Sequence, residues 1–407
     1  MADFTCSYLI VGAGLAGASA VEGIRQQDRE GAILLLGSEP YLPYHRPPLT
    51  KKLWFGKESV EQIFVHNDPF YADAQVDLKL GTVINALQAA EQVAIDTEGN
   101  RYHYEKLLLA TGGAPRRLEI PGGDLEGICY YRYLTDYLRV RPDAERGKSA
   151  VVVGGGFIGS EIAAALAMQE VQVSLIFPGQ YLVDRIFPEE LGRSMTALYQ
   201  QHGVQILAGD APVAFERQHG KYLVHTKQGQ LVTADMLIAG IGIYPETDLA
   251  AKAGLSISNG IVANEYLQTS DPHIYAAGDN AFFPYHVVGK GMRVEHWDNA
   301  LNQGQAAGRN MSGAREPYTY MPYFFSDLFE FGYEAVGEVS AKLETFADWQ
   351  QDHQTGVLYY LDHGLVRGVM TCNLYGKLDQ ARELIRSGRQ MTPDQLRGAI
   401  REEKKAA

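Results

Sequence analysis

The chain has 407 residues, 46% of them apolar, and a formal net charge of −13. That length predicts two or three domains with substantial cores, and no apolar run is long enough to cross a bilayer. The acidic balance argues against a general nucleic-acid binder and leaves a local basic patch open. The three cysteines, Cys6, Cys129 and Cys372, form no CxxC, CxxxxC or zinc spacing, so each reads as buried packing. The opening residues Met1-Ala2-Asp3-Phe4-Thr5 lack a basic region, so the expectation is a soluble, cytoplasmic product with no signal or transit peptide.

In chain order, Leu9-Ile10-Val11-Gly12-Ala13-Gly14-Leu15-Ala16-Gly17 predicts a buried strand, a tight turn and a helix start. Gly12 lets the chain turn, Gly14 lets backbone approach a pyrophosphate, and Gly17 lets helix and strand pack closely. Amides at such a helix start favour phosphate. Ile33–Leu36 is a second apolar strand, and Glu39 follows, 22 residues past Gly17. It stands where an acid meets a ribose hydroxyl, or it is a solvated turn residue. The prolines of Leu42–Lys51 forbid a long helix and predict an extended segment. Thr82–Leu87 and Gln92–Thr97 read as a hairpin, with Glu98-Gly99-Asn100 turning into Arg101–Tyr104. Leu107-Leu108-Leu109-Ala110-Thr111-Gly112-Gly113 is a buried strand ending in a small-residue turn.

The same order then returns. Ala150–Val153 is a strand, Gly154-Gly155-Gly156-Phe157-Ile158-Gly159 a second GxGxxG, Ala163–Met168 an apolar helix and Val171–Phe177 a strand. A hairpin pattern spans Val204–Val232, and Met236–Gly242 matches the strand and turn at Leu107–Gly113. The chain thus holds a divergent repeat of one nucleotide-binding unit. Ile274–Asp279 is another strand ending in Gly-Asp, and Trp297–Met311 is helical. An aromatic-rich stretch begins at Tyr318. Strands follow at Glu334–Val339, Val357–Leu361 and Leu365–Thr371, then two helices. Leu378, Ala381 and Ile385 share a face of the first helix; Thr392 caps the second, with Pro393 at its first position. The last lysines, Lys404 and Lys405, read as a frayed tail.

The two glycine turns, Leu109–Gly113 and Tyr275-Ala276-Ala277-Gly278-Asp279 together resemble a flavoprotein with two dinucleotide-binding domains. Leu42–Lys51, Arg293-Val294-Glu295-His296-Trp297 and Phe325-Ser326-Asp327-Leu328 with Gly332–Gly337 narrow the resemblance to the ferredoxin reductase and apoptosis-inducing-factor group. It covers nearly the whole chain. It implies an α/β fold with two Rossmann-like domains and an α+β C-terminal domain. Residues 1–117 and 246–315 would bind FAD, 118–245 would bind NAD(P), and 316–407 would form the third domain.

By that resemblance, Gly12, Gly14, Gly17 and Glu39 hold the FAD diphosphate and ribose, and Arg46 and Lys51 contact FAD, where the alternative is two solvated charges. Thr111, Gly112 and Arg116 belong to the cofactor set, as do Gly154, Gly156, Gly159 and Gly242 in the second half. Asp279 contacts the ribityl chain, or it caps a helix after Gly278. Glu161 pairs with Lys51 near flavin N5, tuning its potential and access, or is simply an acid at a helix N-terminus. Glu295, His296 and Trp297 lie by the flavin and nicotinamide rings, with His296 open to being an ordinary helix-start residue. Phe325, where many relatives place tryptophan, packs on the flavin or in the third domain's core; Glu334 is a nicotinamide-side contact. After Val171–Phe177 the NADH pattern wants an acid, but Phe177-Pro178-Gly179-Gln180 offers none until Asp184, beside Arg185. Arg185 pairs with a 2′-phosphate, or meets adenine or solvent, so NADH and NADPH both stay open.

The expected activity is hydride transfer from NAD(P)H to flavin N5, then single-electron transfer to a ferredoxin or rubredoxin. Lys51 and Glu161 are the catalytic pair, no metal is held by the chain, and a homodimer is left open. The alternative is an NADH-sensing protein like apoptosis-inducing factor, with slow oxidase activity and redox-controlled assembly. The short stretch between Glu338 and Val357 favours the reductase, because sensing relatives often carry a long insertion there. A thiol-based reductase is disfavoured, since no cysteine sits near Tyr44–Lys51.

Overall fold

The computed structural model describes residues 1–400; the expected lysine tail lies outside the described residues. The chain divides into two compact units, each assembled from distant stretches of sequence. The first takes in Met1–His45, Ser59–Ala114 and Tyr244–Pro322; the second takes in Arg46–Glu58, Pro115–Ile243 and the chain from Tyr323 onward.

The first unit is built on the strand Asp3–Val11. Its apolar end pairs in parallel with Ile33–Leu36 on one side and with Leu107–Leu109 on the other. Leu9, Ile10, Leu35, Leu107 and Leu108 are completely buried, as expected of parallel strands covered on both faces. Val76–Lys79, which the sequence pattern does not single out, extends the sheet beyond Ile33–Leu36. Arg101–Tyr104 and Leu107–Leu109 are one strand, Arg101–Leu109. Its first half alternates buried tyrosines with half-buried polar residues, and its last three residues are all buried. The change of pattern follows a change of neighbour: antiparallel Val93–Asp96 beside the first half, parallel Ile274–Ala276 beside the second.

Helices Leu15–Gln27 and Trp297–Met311 pack through glycine. A Cβ on Gly304 would stand 2.3 Å from the Ala16 carbonyl oxygen, and one on Gly308 would stand 2.2 Å from that of Ala20. The two backbones therefore touch, leaving no room for a methyl group.

In the second unit the same parallel core recurs, in the order Gln205–Ala208, Gln172–Phe177, Ser149–Val153, Met236–Ala239, Cys129–Tyr130. A three-stranded antiparallel meander, Pro212–Gln218, Lys221–Thr226 and Leu231–Ala234, accounts for the hairpin pattern. The chain from Tyr323 forms a five-stranded antiparallel sheet with the helix Leu378–Arg386 beside it. Two of its strands, Tyr323–Leu328 and Glu344–Gln351, were not separated by sequence pattern. Thr355–Asp362 and Leu365–Cys372 form the expected hairpin, with His363 and Gly364 both at positive φ, the backbone a two-residue hairpin turn demands.

Two local expectations are corrected. The proline segment is not extended: Pro47–Thr50 and Lys52–Phe55 are short 3-10 turns. Pro47 and Pro48 open the first of these, where a missing N–H costs no helical bond. The last helix is a single turn, Pro393–Leu396, with the Thr392 and Gln395 capping box in place. Gly398, at φ +67, ends it, while Leu396 and Ile400 remain buried. The α/β class and the repeated nucleotide-binding sheets are as the sequence implies.

Gly308→Ala should destabilise the first unit by about 1–3 kcal/mol through overpacking. Thermal melting should show a lowered midpoint relative to wild type.

Candidate active site

Each unit carries one glycine turn, and the two are built alike. Gly12 has φ +118 and Gly154 has φ +116. A Cβ on Gly12 would lie 2.2 Å from the Ala110 carbonyl oxygen, and one on Gly154 would lie 2.4 Å from that of Gly240. Gly17 and Gly159 abut the turns themselves: their added Cβ atoms would meet the carbonyl oxygens of Gly12 at 2.1 Å and Gly154 at 1.8 Å. Gly14 and Gly156 differ from all of these. Each is the extended N-cap of its helix, neither supplies a capping side chain, and nothing lies within 4 Å of where a Cβ would be. Each helix start therefore presents backbone amides to an open cradle, the donor arrangement that a diphosphate fits.

Around the first cradle, Tyr44 donates its hydroxyl to Glu39 at 2.6 Å. Thr111 donates to the Glu246 carbonyl at 2.8 Å and accepts from Asn280 at 2.9 Å, so its hydroxyl braces the turn at Gly112 (φ +67). Asp279 caps no helix, because Ala281–Tyr285 is a strand and the next helix begins at Trp297. The Asp279 backbone carbonyl accepts from Arg293, which also pairs with Glu295. Trp297 donates its indole N–H to His45 Nδ1 at 2.9 Å. His296 is the N-cap of that helix. Desolvation pushes its imidazole down to about 4 against the pull of the Asp279 carboxylate, so the ring is neutral at pH 7. Two buried atoms here, Asn280 Oδ1 and Gln303 Nε2, have no hydrogen-bond partner among the described residues. Sequence pattern offered no sign of them, since neither belongs to a recognisable motif.

In the second unit, three donors from two distant stretches converge on Glu161. Glu161 is 6% exposed. Lys51 pairs with Oε1 at 2.5 Å, Ser326 donates to Oε1 at 2.5 Å, and Thr50 donates to Oε2 at 2.5 Å. Thr50 and Ser326 are functional neighbours that sequence reasoning missed, although both lie inside the stretches that carry the resemblance. Lys51 Nζ also stands 5.4 Å from the centroid of Phe325. Phe325 is only partly buried, on the edge of the antiparallel sheet rather than in its core, and pairs directly across from Glu334. Burial raises the Glu334 carboxyl above the usual range, and the Gly376 amide opposes that shift by donating to it.

Arg46 donates to the Arg132 carbonyl at 2.7 Å and stacks on Tyr133. Arg116 bonds the Gly242 carbonyl through its amide and the Ile243 carbonyl through Nε. Gly242 has φ +93. The Arg185 side chain is exposed and has no ion pair among the described residues. The thiols are buried and free, and burial pushes Cys6 and Cys129 up to about 12 and Cys372 higher still. None of them can act as a thiolate near neutral pH.

Paired diphosphate cradles and a buried ion pair define a dinucleotide-dependent redox protein. Residues 6–304 match the family described as pyridine nucleotide-disulphide oxidoreductase, and 307–354 match the apoptosis-inducing factor, mitochondrion-associated, C-terminal family. The chain is 32% identical to apoptosis-inducing factor 1, mitochondrial, of Dictyostelium discoideum, over 97% of this chain and 81% of that one. It is also 32% identical to putidaredoxin reductase CamA of Pseudomonas putida, over 96% and 94%. Among solved structures, the covalent putidaredoxin reductase–putidaredoxin complex superposes with a TM-score of 0.90 at 32% identity, covering 97% of this chain and 95% of that one. The chain belongs to the pyridine nucleotide-disulphide oxidoreductase family, and it is an FAD-dependent NAD(P)H oxidoreductase.

Lys51→Met leaves a buried carboxylate without its cation and should cost about 3–5 kcal/mol. Lys51→Met with Glu161→Met should cost less than the sum of the single changes, measured as a double-mutant cycle in urea. His296 has a folded value below its unfolded one, so its contribution to stability is intact above about pH 6.5 and is lost as pH falls toward about 4. His296→Gln should therefore lose less stability than wild type between pH 7 and pH 5, in urea midpoints taken at each pH.

Proposed function

We propose that this oxidoreductase passes the electrons of NAD(P)H to a small iron–sulfur carrier of the ferredoxin or rubredoxin type. Bound FAD supplies a group that takes up a hydride's two electrons and releases them singly. The observation that carries this reading is the buried Lys51–Glu161 pair, saturated by Thr50 and Ser326, in a chain whose thiols are all buried. It gives the protein a fixed cation for a reduced, anionic group and leaves no cysteine relay to carry electrons onward.

In this assignment Gly12, Gly14 and Gly17 hold the FAD diphosphate, Glu39 the adenosine ribose and Asp279 the ribityl chain. Thr111, Gly112, Arg116, Arg46 and Lys51 complete the FAD side. Gly154, Gly156, Gly159, Gly242 and Arg185 serve the nicotinamide dinucleotide. Glu295, His296, Trp297, Phe325 and Glu334 flank the reacting rings. His296 is a neutral donor or acceptor beside them at pH 7. Lys51 stabilises developing negative charge, and Glu161 fixes its ammonium. The domains follow as 1–117 with 246–315 for FAD, 118–245 for NAD(P) and 316–407 as the third. A cytoplasmic location goes with a soluble carrier. Among the described residues no helix is long and apolar enough to cross a membrane.

A second reading, an NADH-sensing protein like apoptosis-inducing factor, draws on the C-terminal match at 307–354. The stretch between Glu338 and Val357 holds only one strand, Glu344–Gln351. It has no long insertion, and this favours the reductase.

Anaerobic titration with NADH and NADPH, followed through the visible flavin bands, should bleach them. Added ferredoxin should then be reduced in steady state faster than by free FAD; a rate equal to that blank refutes the carrier reading. Glu161→Ala should slow bleaching while FAD stays bound.

A further inference from the structure

The strand Gln172–Phe177 ends without the acid that recognises an adenosine ribose in NADH-dependent sites. The loop behind it folds back over that end. Gly155, in the second glycine turn, lies against the Phe177 ring: its added Cβ would meet the ring 2.6 Å away. The Gly155 carbonyl accepts the Val183 amide at 2.8 Å. Val183 is held at φ +57, an uncommon region for a β-branched residue. That bond pins the loop to the glycine turn and fixes where the next residue goes. Asp184 follows, and its carboxylate comes to rest over Gly179, with Oδ2 2.3 Å from the position a Gly179 Cβ would take. Its side chain is exposed. A carboxylate from seven residues beyond the strand thus stands at the strand's end, the place of the missing acid.

We propose that Asp184 is the ribose-recognising acid of the second dinucleotide site and makes this oxidoreductase selective for NADH over NADPH. The inference rests on the assignment of the Gly154–Gly159 turn to the nicotinamide dinucleotide. A carboxylate there accepts hydrogen bonds from both ribose hydroxyls and repels a 2′-phosphate carrying a charge of about −1.5 to −2. The neighbouring Arg185 would attract such a phosphate, so the preference turns on which of two adjacent charges faces the ribose. Gly179 explains how Asp184 takes that place. It is not at positive φ, so its lack of a side chain serves space and not backbone conformation. A methyl group there would collide with the end of a flexible carboxylate and push it aside without disturbing backbone.

ADP-ribose and its 2′-phosphate probe this ribose without any redox step. Calorimetric titration of the oxidised FAD-loaded protein should give a Kd for ADP-ribose at least about tenfold below that for the 2′-phosphorylated form, the worth of a hydrogen bond to a charged group. Asp184→Asn and Gly179→Ala should each shrink that ratio by about tenfold, one by removing the charge and the other by displacing it. Two variants of different kind keep the test decisive if one folds poorly. An unchanged ratio in Asp184→Asn, or tighter binding of the 2′-phosphate by wild type, overturns the inference while NADH still bleaches the flavin. Failure of wild type to bind either probe, together with no bleaching by NADH or NADPH, overturns the dinucleotide assignment and this inference with it.

Discussion

Glu161 is a buried carboxylate, and the second unit is arranged around that fact. Removing an ionised carboxylate from water costs several kcal/mol unless partners replace the lost hydration. Three donors replace it here: Thr50 and Lys51 from a short segment far back in sequence, and Ser326 from the antiparallel sheet. One anion thus binds together the glycine-turn helix, the 3-10 turns around Lys51 and the first strand after Tyr323. Arg46–Glu58 belongs to the second compact unit although the stretches on either side of it belong to the first. The Trp54 indole N–H to the Leu49 carbonyl at 2.7 Å, and the Tyr137 hydroxyl to the Leu53 carbonyl at 3.0 Å, secure the same segment by neutral bonds.

The second constraint is steric and appears twice. Each cradle needs one glycine for its positive φ, one for open space and one for contact between helix and turn. The structure assigns these roles to Gly12, Gly14 and Gly17, and again to Gly154, Gly156 and Gly159. The middle glycines bear most directly on function, since a side chain there would enter the space in front of the free amides. Neither helix uses a side-chain cap, and neither has an acid in its first turn. Either device would compete with a bound diphosphate for the same donors. Glu161 comes one turn into its helix, and its charge is answered by Lys51.

The sequence made the glycine turns and the parallel strands legible because both rest on contiguous residues. A continuous apolar run ending in GxGxxG reports local geometry, and the structure repeats it in register. Thr50 and Ser326 were hidden for the opposite reason. A hydroxyl says nothing of its partner until the fold brings residues 50, 161 and 326 together. The Asp184 carboxylate was visible in sequence but stood at the wrong spacing, and only the bond from Val183 to Gly155 shows how it returns to the strand end. Arg101–Leu109 was split by pattern because its neighbours change halfway along. The proline segment was read as extended because proline forbids helix interiors, whereas the first turn of a 3-10 helix accepts it.

The family's name speaks of disulphides, yet all three thiols of this chain are buried and none is in a disulphide. Burial leaves Cys6, Cys129 and Cys372 protonated at neutral pH, and no two of them are joined. Within the second unit the chain fixes a charge at Lys51, its restraint at Glu161 and a partly exposed aromatic face at Phe325; within the first it holds a neutral imidazole at His296. Electron transfer through bound cofactors demands fixed distances and a tuned field more than reactive protein groups. A carboxylate held by three donors provides such a field, because it cannot rotate away or change partners without leaving a buried charge exposed to an apolar interior. The rigidity of that pair is therefore built into the chain itself, by Thr50 and Ser326 as much as by Lys51.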